Sequence, residues 1–199
     1  MKTIKIKTKL KNKLLFKLLI ITIISILLGL LYMAIISKTD RNIVKTSLAT
    51  FFKSLDKLDY KSAFINCLAS NTIYIALIWL LGISILGIPI IIIILILKSF
   101  TIGFTISSIL YFYKFKGLII AIIYIIPLLI NLFAIIYLSY YAIMFSKNLI
   151  ALLFFKKTIN FHNVMRRYLK ILLTCVIFIL ISSIIEIYLV PSILKLLQI

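Results

Sequence analysis

The chain has 199 residues, of which 64% are hydrophobic, and its 23 lysines and arginines against four acidic residues give a net charge of +19. Several apolar runs of about 18 or more residues exclude a soluble globular domain and are typical of transmembrane helices, which satisfy their own backbone hydrogen bonds in lipid. No run alternates as the strands of a membrane β-barrel would. The sequence therefore predicts an all-α, polytopic helical membrane protein of about five transmembrane helices, forming a single domain over residues 1–199.

The basic charge lies mostly at the ends of the apolar runs. Lysines at those positions orient helices and meet the anionic head groups of the bilayer, so the expected partner of this charge is lipid and not nucleic acid. The two cysteines, Cys67 and Cys175, have no spacing that suggests a disulfide framework or a metal site. We expect no cofactor and no metal.

The N-terminal part predicts one membrane span followed by an outer helix. Residues 1–17 hold seven lysines, and the apolar run 18–36 is too long for a signal-peptide core, so it is predicted as an uncleaved span with a cytoplasmic N-terminus. Residues 37–71 are polar, but apolar side chains recur there at helical spacing, which predicts an amphipathic helix on the outer membrane face. A loop packed on the span ends is the alternative. The apolar positions are Ile43, Leu48, Phe51, Phe52, Leu55 and Leu58.

Residues 73–113 are nearly continuous apolar sequence, long enough for two crossings at about 1.5 Å per residue. Because a lysine at mid-bilayer is costly, we place the turn near Lys98, between spans at 72–97 and 99–113. Pro89 then lies inside a helix and bends it. An earlier reversal at Gly87–Pro89 is the alternative. Gly82 and Gly87 are predicted to allow a close approach of another helix.

Small residues after Lys98 predict a helix-packing face. Ser99, Gly103 and Ser107 recur at i, i+4 and i+8, a spacing that supports tight helix packing in lipid. The face is predicted to pack inside the protein or on a partner, a second copy of the chain included.

The C-terminal half predicts two further spans, at 117–145 and 171–190, around a basic cytoplasmic segment at 146–170. Lys114, Lys116 and Gly117 mark the turn before the first of them. Pro127 and Asn131 are one turn apart within it, where the proline bends the helix and the asparagine bonds to another helix or to the opened backbone. Lysine and arginine are more frequent in the predicted inner segments than in the outer ones, as the positive-inside rule requires.

Only one acidic residue lies in an apolar span, Glu186, and its predicted role is functional or inter-helix pairing, with a simple reach to the interface as the alternative. Lys98 and Lys195 are its candidate partners, and the predicted topology puts Lys195 closer. The single histidine, His162, is predicted on the cytoplasmic side, away from the outer aspartates, so a Ser-His-Asp relay cannot form. We expect a protein that is not an enzyme, without catalytic residues.

Two stretches resemble the stage II sporulation protein M family. Residues 71–105 are similar to its W-x-L-G-I-S-I-x-G-x-P and K-G-x-x-x-G-F-T patterns, with Ser99 in place of the glycine that usually follows the lysine. The matching residues are Trp79, Leu81, Gly82, Ile83, Ser84, Ile85, Gly87, Pro89, Lys98, Gly103, Phe104 and Thr105. The E-x-Y-L-x-P ending of that family is matched by Glu186, Tyr188, Leu189 and Pro191.

The resemblance implies a role in spore formation, in which the mother-cell membrane engulfs the forespore. It implies a non-enzymatic scaffold, a multi-pass protein of the cell membrane at the septum. This scaffold recruits two peptidoglycan-degrading partners, the stage II sporulation proteins D and P. The alternative is a membrane subunit of a transporter or channel, in which Pro89, Pro127, Asn131 and Glu186 line a polar path. The scarcity of charge within the spans and the lack of an internal repeat favour the scaffold.

Overall fold

The protein is a bundle of long helices in a computed structural model that describes residues 2–54, 59–155 and 161–196, with side chains described over 13–53, 59–153 and 161–195. Four described helices contain stretches long and apolar enough to cross a membrane, at Lys13–Ile35, Tyr60–Ile83, Gly87–Leu153 and Phe161–Lys195. The helices in chain order are α1 (Lys2–Ile35), α2 (Lys38–Ser54), α3 (Tyr60–Ile83), α4 (Gly87–Phe155), α5 (Phe161–Ile184), a π-helical turn (Ile185–Leu189) and α6 (Val190–Leu196).

The longest helix, α4, is a hairpin of two arms, residues 87–113 and residues 115–155. Lys114 between them has φ 47° and ψ −120°, which breaks the helix. The arms then pack on each other: Ile109 and Ile120 belong to one buried cluster, and a Cβ added to Gly117 would lie 2.5 Å from the carbonyl oxygen of Ile109. The turn predicted at Lys114–Gly117 is confirmed, and counting the two arms separately brings the apolar crossings to the predicted five.

The reversal between α3 and α4 corrects the predicted turn. It lies at residues 84–86, where the Ser84 N–H donates to the Leu81 carbonyl (3.0 Å) and the Gly87 N–H donates to the Ser84 carbonyl (3.3 Å). Pro89 therefore lies in the first turn of α4, where a helix needs no N–H donor, and bends nothing. The predicted turn near Lys98, with its spans at 72–97 and 99–113, is wrong, because α4 passes through Lys98 without interruption.

The predicted interfacial segments are also redrawn. The outer segment at 37–71 divides into the predicted amphipathic helix, α2, and the first turns of α3. Leu55 and Leu58 lie outside the described residues. The basic segment predicted at 146–170 is mostly helical, since α4 continues to Phe155 and α5 begins at Phe161.

The long helices alternate in direction along the chain, which makes two contacting pairs parallel: α1 with the first arm of α4, and α3 with the second arm, where Gly82 lies against Ala142. The second arm of α4 runs antiparallel to α5, because the Ser182 hydroxyl donates to the Pro127 carbonyl (2.8 Å) and the Cys175 thiol donates to the Ala134 carbonyl (3.5 Å). α1 runs parallel to the first arm, with Gly103 against Ile26.

Large aliphatic side chains fill the centre of the bundle and also cover its outside. In lipid the driving force for such packing is van der Waals contact rather than removal of water, so small residues at helix crossings matter more than apolar area. The most buried core side chains are Ile75, Ile78, Ile91, Leu95, Ile135, Leu138, Ile143 and Ile179. Apolar residues such as Leu31, Ile93, Ile122 and Leu173 point outward and are more than half exposed, as lipid-facing residues would be.

Candidate functional site

A polar cluster lies inside the bundle, where α3, the first arm of α4 and the end of α5 meet. Two residues of the cluster come from α3, and their spacing in the sequence explains why they meet. Cys67 and Asn71 are four residues apart and therefore lie on one helix face, one turn above the other. The Asn71 amide nitrogen donates to the Cys67 sulfur over 3.6 Å, and Asn71 is buried.

Lys98 enters the cluster from the first arm of α4. Its Nζ donates to Oδ1 of Asn71 over 3.2 Å and stands 4.4 Å from the centre of the Tyr74 ring. An amide oxygen and an aromatic face are both favourable partners for a lysine amine away from water. A turn at Lys98 would have exposed its amine to water. Because Asn71 and Tyr74 contact the amine instead, Lys98 can lie within a continuous helix.

Glu186 enters from the π-helical turn, Ile185–Leu189, that follows α5. Pro191 lacks an N–H donor and cannot complete a normal α-helical turn with the residue four before it, so a wider turn ahead of it is expected. The Cys67 thiol lies within donating distance of Oε2 of Glu186 (3.4 Å) and of the Ser183 hydroxyl (3.7 Å).

Four side chains therefore form one continuous chain of contacts, from Lys98 through Asn71 and Cys67 to Glu186. Asn71 and Cys67 bridge the amine and the carboxyl group. Asn71 is buried and the other three are half-buried, so removing one member leaves its neighbour without a partner, at a cost greater than the net gain from a single intact hydrogen bond. The arrangement can hold three helices in one register, and it offers a line of groups that can carry hydrogen bonds.

Aromatic residues close the outer side of the cluster. The Tyr188 ring, in the same π-helical turn as Glu186, stacks on Tyr60 with centroids 5.6 Å apart and contacts Phe64 at 6.1 Å. The first turns of α3 are thereby attached to the end of α5. The E-x-Y-L-x-P stretch thus places its carboxyl group and its tyrosine in the π-helical turn and its proline in the first turn of α6.

The other stretch that resembles the family, residues 71–105, forms the reversal at residues 84–86 and the packing around it. The carbonyl of Trp79 accepts a hydrogen bond from the Tyr168 hydroxyl (2.9 Å), and the two rings stack with centroids 5.9 Å apart. Gly82 lies directly against that hydroxyl and against Ala142. The Ser146 hydroxyl donates to the Ser84 carbonyl over 2.9 Å.

The predicted small-residue face packs within the protein. An added Cβ at Gly103 would overlap the Ile26 carbonyl of α1, and one at Gly29, which sequence reasoning did not select, would overlap the Phe100 carbonyl. Ser99 is buried and Ser107 is half-buried, and both hydroxyls bond to carbonyls of their own helix, Leu95 and Phe104. Since α1 occupies this face at Gly103, that position is not open to a partner.

The two remaining site predictions differ in outcome. Glu186 is half-buried and reaches Cys67, whereas Lys195, its expected partner, is exposed; the preference for Lys195 is wrong, because the reversal at 84–86 brings Lys98 to the same level as the cluster. Asn131 is buried in the second arm of α4, and its Oδ1 has no hydrogen-bond partner among the described residues. Gly87 is the first residue of α4, directly after the reversal, where an added Cβ would overlap the Leu81 carbonyl.

Sequence reasoning missed Cys67 and Asn71, because the segment up to residue 71 was assigned to the outer surface. Their signal was the spacing of Cys67, Asn71 and Tyr74 at i, i+4 and i+7 on one face of α3. Among the described residues, no three His, Cys, Asp or Glu side chains come together in a way that could hold a metal ion.

Comparison with known proteins gives one family. The family of Stage II sporulation protein M matches residues 18–191, a range that contains α2, α3, all of α4 and the polar cluster. No curated protein and no solved structure matches the chain.

Proposed function

Because the chain belongs to the Stage II sporulation protein M family, and so is a sporulation-related membrane protein, we propose that it acts as a non-enzymatic scaffold. In this proposal the protein lies in the mother-cell membrane at the sporulation septum and recruits the stage II sporulation proteins D and P. Those partners degrade peptidoglycan, and this protein positions them for forespore engulfment.

The observation that carries the proposal is the way α2 is held. Phe52 packs edge-on against Tyr113 at 5.0 Å, and the Arg41 guanidinium donates to the Ala34 carbonyl (2.6 Å) and to the Tyr111 hydroxyl (3.2 Å). These contacts attach α2 to the end of α1 and to the tip of the α4 hairpin. A helix fixed along one edge leaves its other face available.

The available face of α2 is mostly polar, although Ile43 is also exposed there. Exposed residues recur at helical spacing along it, and two of them, Lys45 and Lys53, are cations. Polar and charged contacts of this kind specify partners and speed association more than they add affinity. We therefore assign recruitment to this face and not to the small-residue face around Gly103.

The test is recovery of the two hydrolases with the tagged protein from membranes of sporulating cells. The variant Lys45→Glu/Lys53→Glu reverses two charges on α2 and is expected to lose most of the recovered hydrolase. Its matched control, Lys61→Glu/Lys116→Glu, makes the same change at exposed positions off α2 and should keep it. Equal recovery with both variants would remove the assignment to α2, and no recovery with the unmodified protein would remove the scaffold.

The polar cluster favours a second candidate, a subunit of a transporter or channel, because lysine and glutamate inside spans often mark ion paths. Against it, the core next to the cluster on its inner side is apolar: Ile75, Ile78, Ile91 and Leu95 are at most 1% exposed. A cluster that ends at such a layer is better suited to joining helices. If Glu186→Gln abolished a measured ion or solute flux while the hydrolases were still recovered, the transport function would replace the scaffold.

A further inference from the structure

An open cavity of about 710 Å³ lies between α1, the second arm of α4 and α5, at the end of the bundle that carries the reversal at residues 84–86. We propose that this cavity binds the head group of an anionic phospholipid. Its volume is in the range of small-ligand sites, about 300 to 1,000 Å³. It is separate from the polar cluster and from α2, so the proposal does not depend on the scaffold.

Four of the residues that line the cavity are basic or polar. Lys147 and Asn148 come from α4, and Asn163 and Arg167 from the first turns of α5. The guanidinium of Arg167 stands over the Tyr141 ring, 5.8 Å from its centre, which holds that charge at the cavity wall. No acidic side chain is among the described lining residues, so an anion entering the cavity meets two cations and two amides without repulsion.

The rest of the wall is apolar and selects a lipid over a soluble anion. Leu14 of α1, Met144 of α4, and Val164 and Ile171 of α5 line it. Lys147 lies two residues after the span predicted at 117–145, and Arg167 lies four residues before the span predicted at 171–190, so both cations flank predicted spans, where head groups lie. Basic pockets between transmembrane helices at this depth suit phospholipid head groups, while acyl chains run along the adjoining apolar wall.

The fluorescence of a tryptophan near the cavity can report on lipid bound there. Trp79 is its single tryptophan, and it stacks on Tyr168, which lines the cavity and also stacks on Phe145 with centroids 4.6 Å apart. A quencher bound in the cavity is therefore close to the only indole in the protein.

The experiment measures quenching of Trp79 in the full-length protein in phosphatidylcholine nanodiscs that contain brominated lipid. Brominated phosphatidylglycerol is compared with brominated phosphatidylcholine at the same mole fraction. With two cations facing the site, phosphatidylglycerol should associate about tenfold more strongly. The variant Lys147→Gln/Arg167→Gln should bring that ratio close to one.

Two control variants separate a specific site from general surface charge. Arg166→Gln/Lys170→Gln removes the same charge from exposed positions of α5 that do not line the cavity, and it should keep the preference. Lys147→Arg/Arg167→Lys keeps both cations and should also keep it. The proposal is overturned if the unmodified protein shows no preference for phosphatidylglycerol, or if Arg166→Gln/Lys170→Gln reduces that preference as much as Lys147→Gln/Arg167→Gln does. It is also overturned if millimolar inorganic phosphate abolishes the preference, since phosphate would then be the ligand.

Discussion

The Cys67 thiol lies 3.4 Å from Oε2 of Glu186, joining two residues that are 119 positions apart in the chain. On its other side the same sulfur accepts from Asn71, which in turn accepts from Lys98. The contacts tie α3, α4 and the end of α5 together through side chains that lipid could not solvate. The stability of the bundle should therefore depend on this cluster as a unit.

Removing the amine of Lys98 should destabilise the protein strongly. Lys98→Met leaves the amide oxygen of Asn71 without its donor and removes the cation of the cluster, at a cost of about 2 kcal/mol. The double variant Lys98→Met/Glu186→Leu should recover part of that loss, because no buried carboxyl group is then left uncompensated. Both variants are compared with the unmodified protein by their thermal unfolding midpoints in detergent micelles, with the folded fraction monitored by size-exclusion chromatography. A double variant less stable than Lys98→Met would show that the two residues do not act together.

Replacing Gly103 by leucine should separate α1 from the first arm of α4. The new side chain would overlap the backbone of Ile26, which cannot move without shifting the whole helix, so we expect a loss of about 2 to 3 kcal/mol. Thr101→Leu adds a similar side chain at an exposed position two residues earlier and should leave the unfolding midpoint nearly unchanged. Comparable midpoints for the two variants would contradict the close approach of α1 at Gly103.

Replacing Lys114 by glycine should stabilise the protein. Lys114 has φ 47°, a backbone conformation that glycine adopts freely and that costs other residues about 1 kcal/mol or more. Lys116→Gly removes an exposed lysine two residues later without relieving a positive φ, and it should lower stability by about 1 kcal/mol. The two glycine variants are thus expected to shift the unfolding midpoint in opposite directions. A lower midpoint for Lys114→Gly would contradict the strained turn.

Low pH should weaken the start of α3. Asp59 is the N-cap of this helix, and its pKa lies below the ordinary value of 3.8, chiefly because its carboxylate accepts from the Ser62 hydroxyl (2.6 Å) and also from the Lys61 N–H (3.3 Å). The unfolded chain takes up a proton more readily, so this contribution is complete above pH 3.8 and is lost as pH falls through the lower folded pKa.

The measurement for Asp59 is amide hydrogen exchange in the first turn of α3 as a function of pH, corrected for the intrinsic exchange rate. Protection should fall at acidic pH in the unmodified protein. Asp59→Asn keeps a good N-cap but cannot titrate, so its protection should stay constant over the same range. Parallel profiles for the two proteins would show that the carboxylate does not contribute.

Much of this architecture could be predicted from the sequence, because hydropathy is local. The span number and the turn at Lys114–Gly117 followed from apolar runs and the residues that end them. The position of the reversal before α4 did not follow from them, because two local rules conflict there. Pro89 predicts a bend within a helix, and Lys98 predicts a turn at the membrane surface. The cluster of Lys98 with Asn71 resolves the conflict, and no local pattern contains that contact.

The sequence by itself determined that this is a helical membrane protein of the sporulation family, since both conclusions depend on residues close together along the chain. Only the tertiary structure decided which residues meet. Lys98 and Glu186 came to the same cluster because the chain reverses between α3 and α4 at residues 84–86 and α5 runs antiparallel to α3. Gly103 was recognisable as a packing residue, but whether α1 or a partner would fill its face depended on helix placement, which a one-dimensional pattern does not specify.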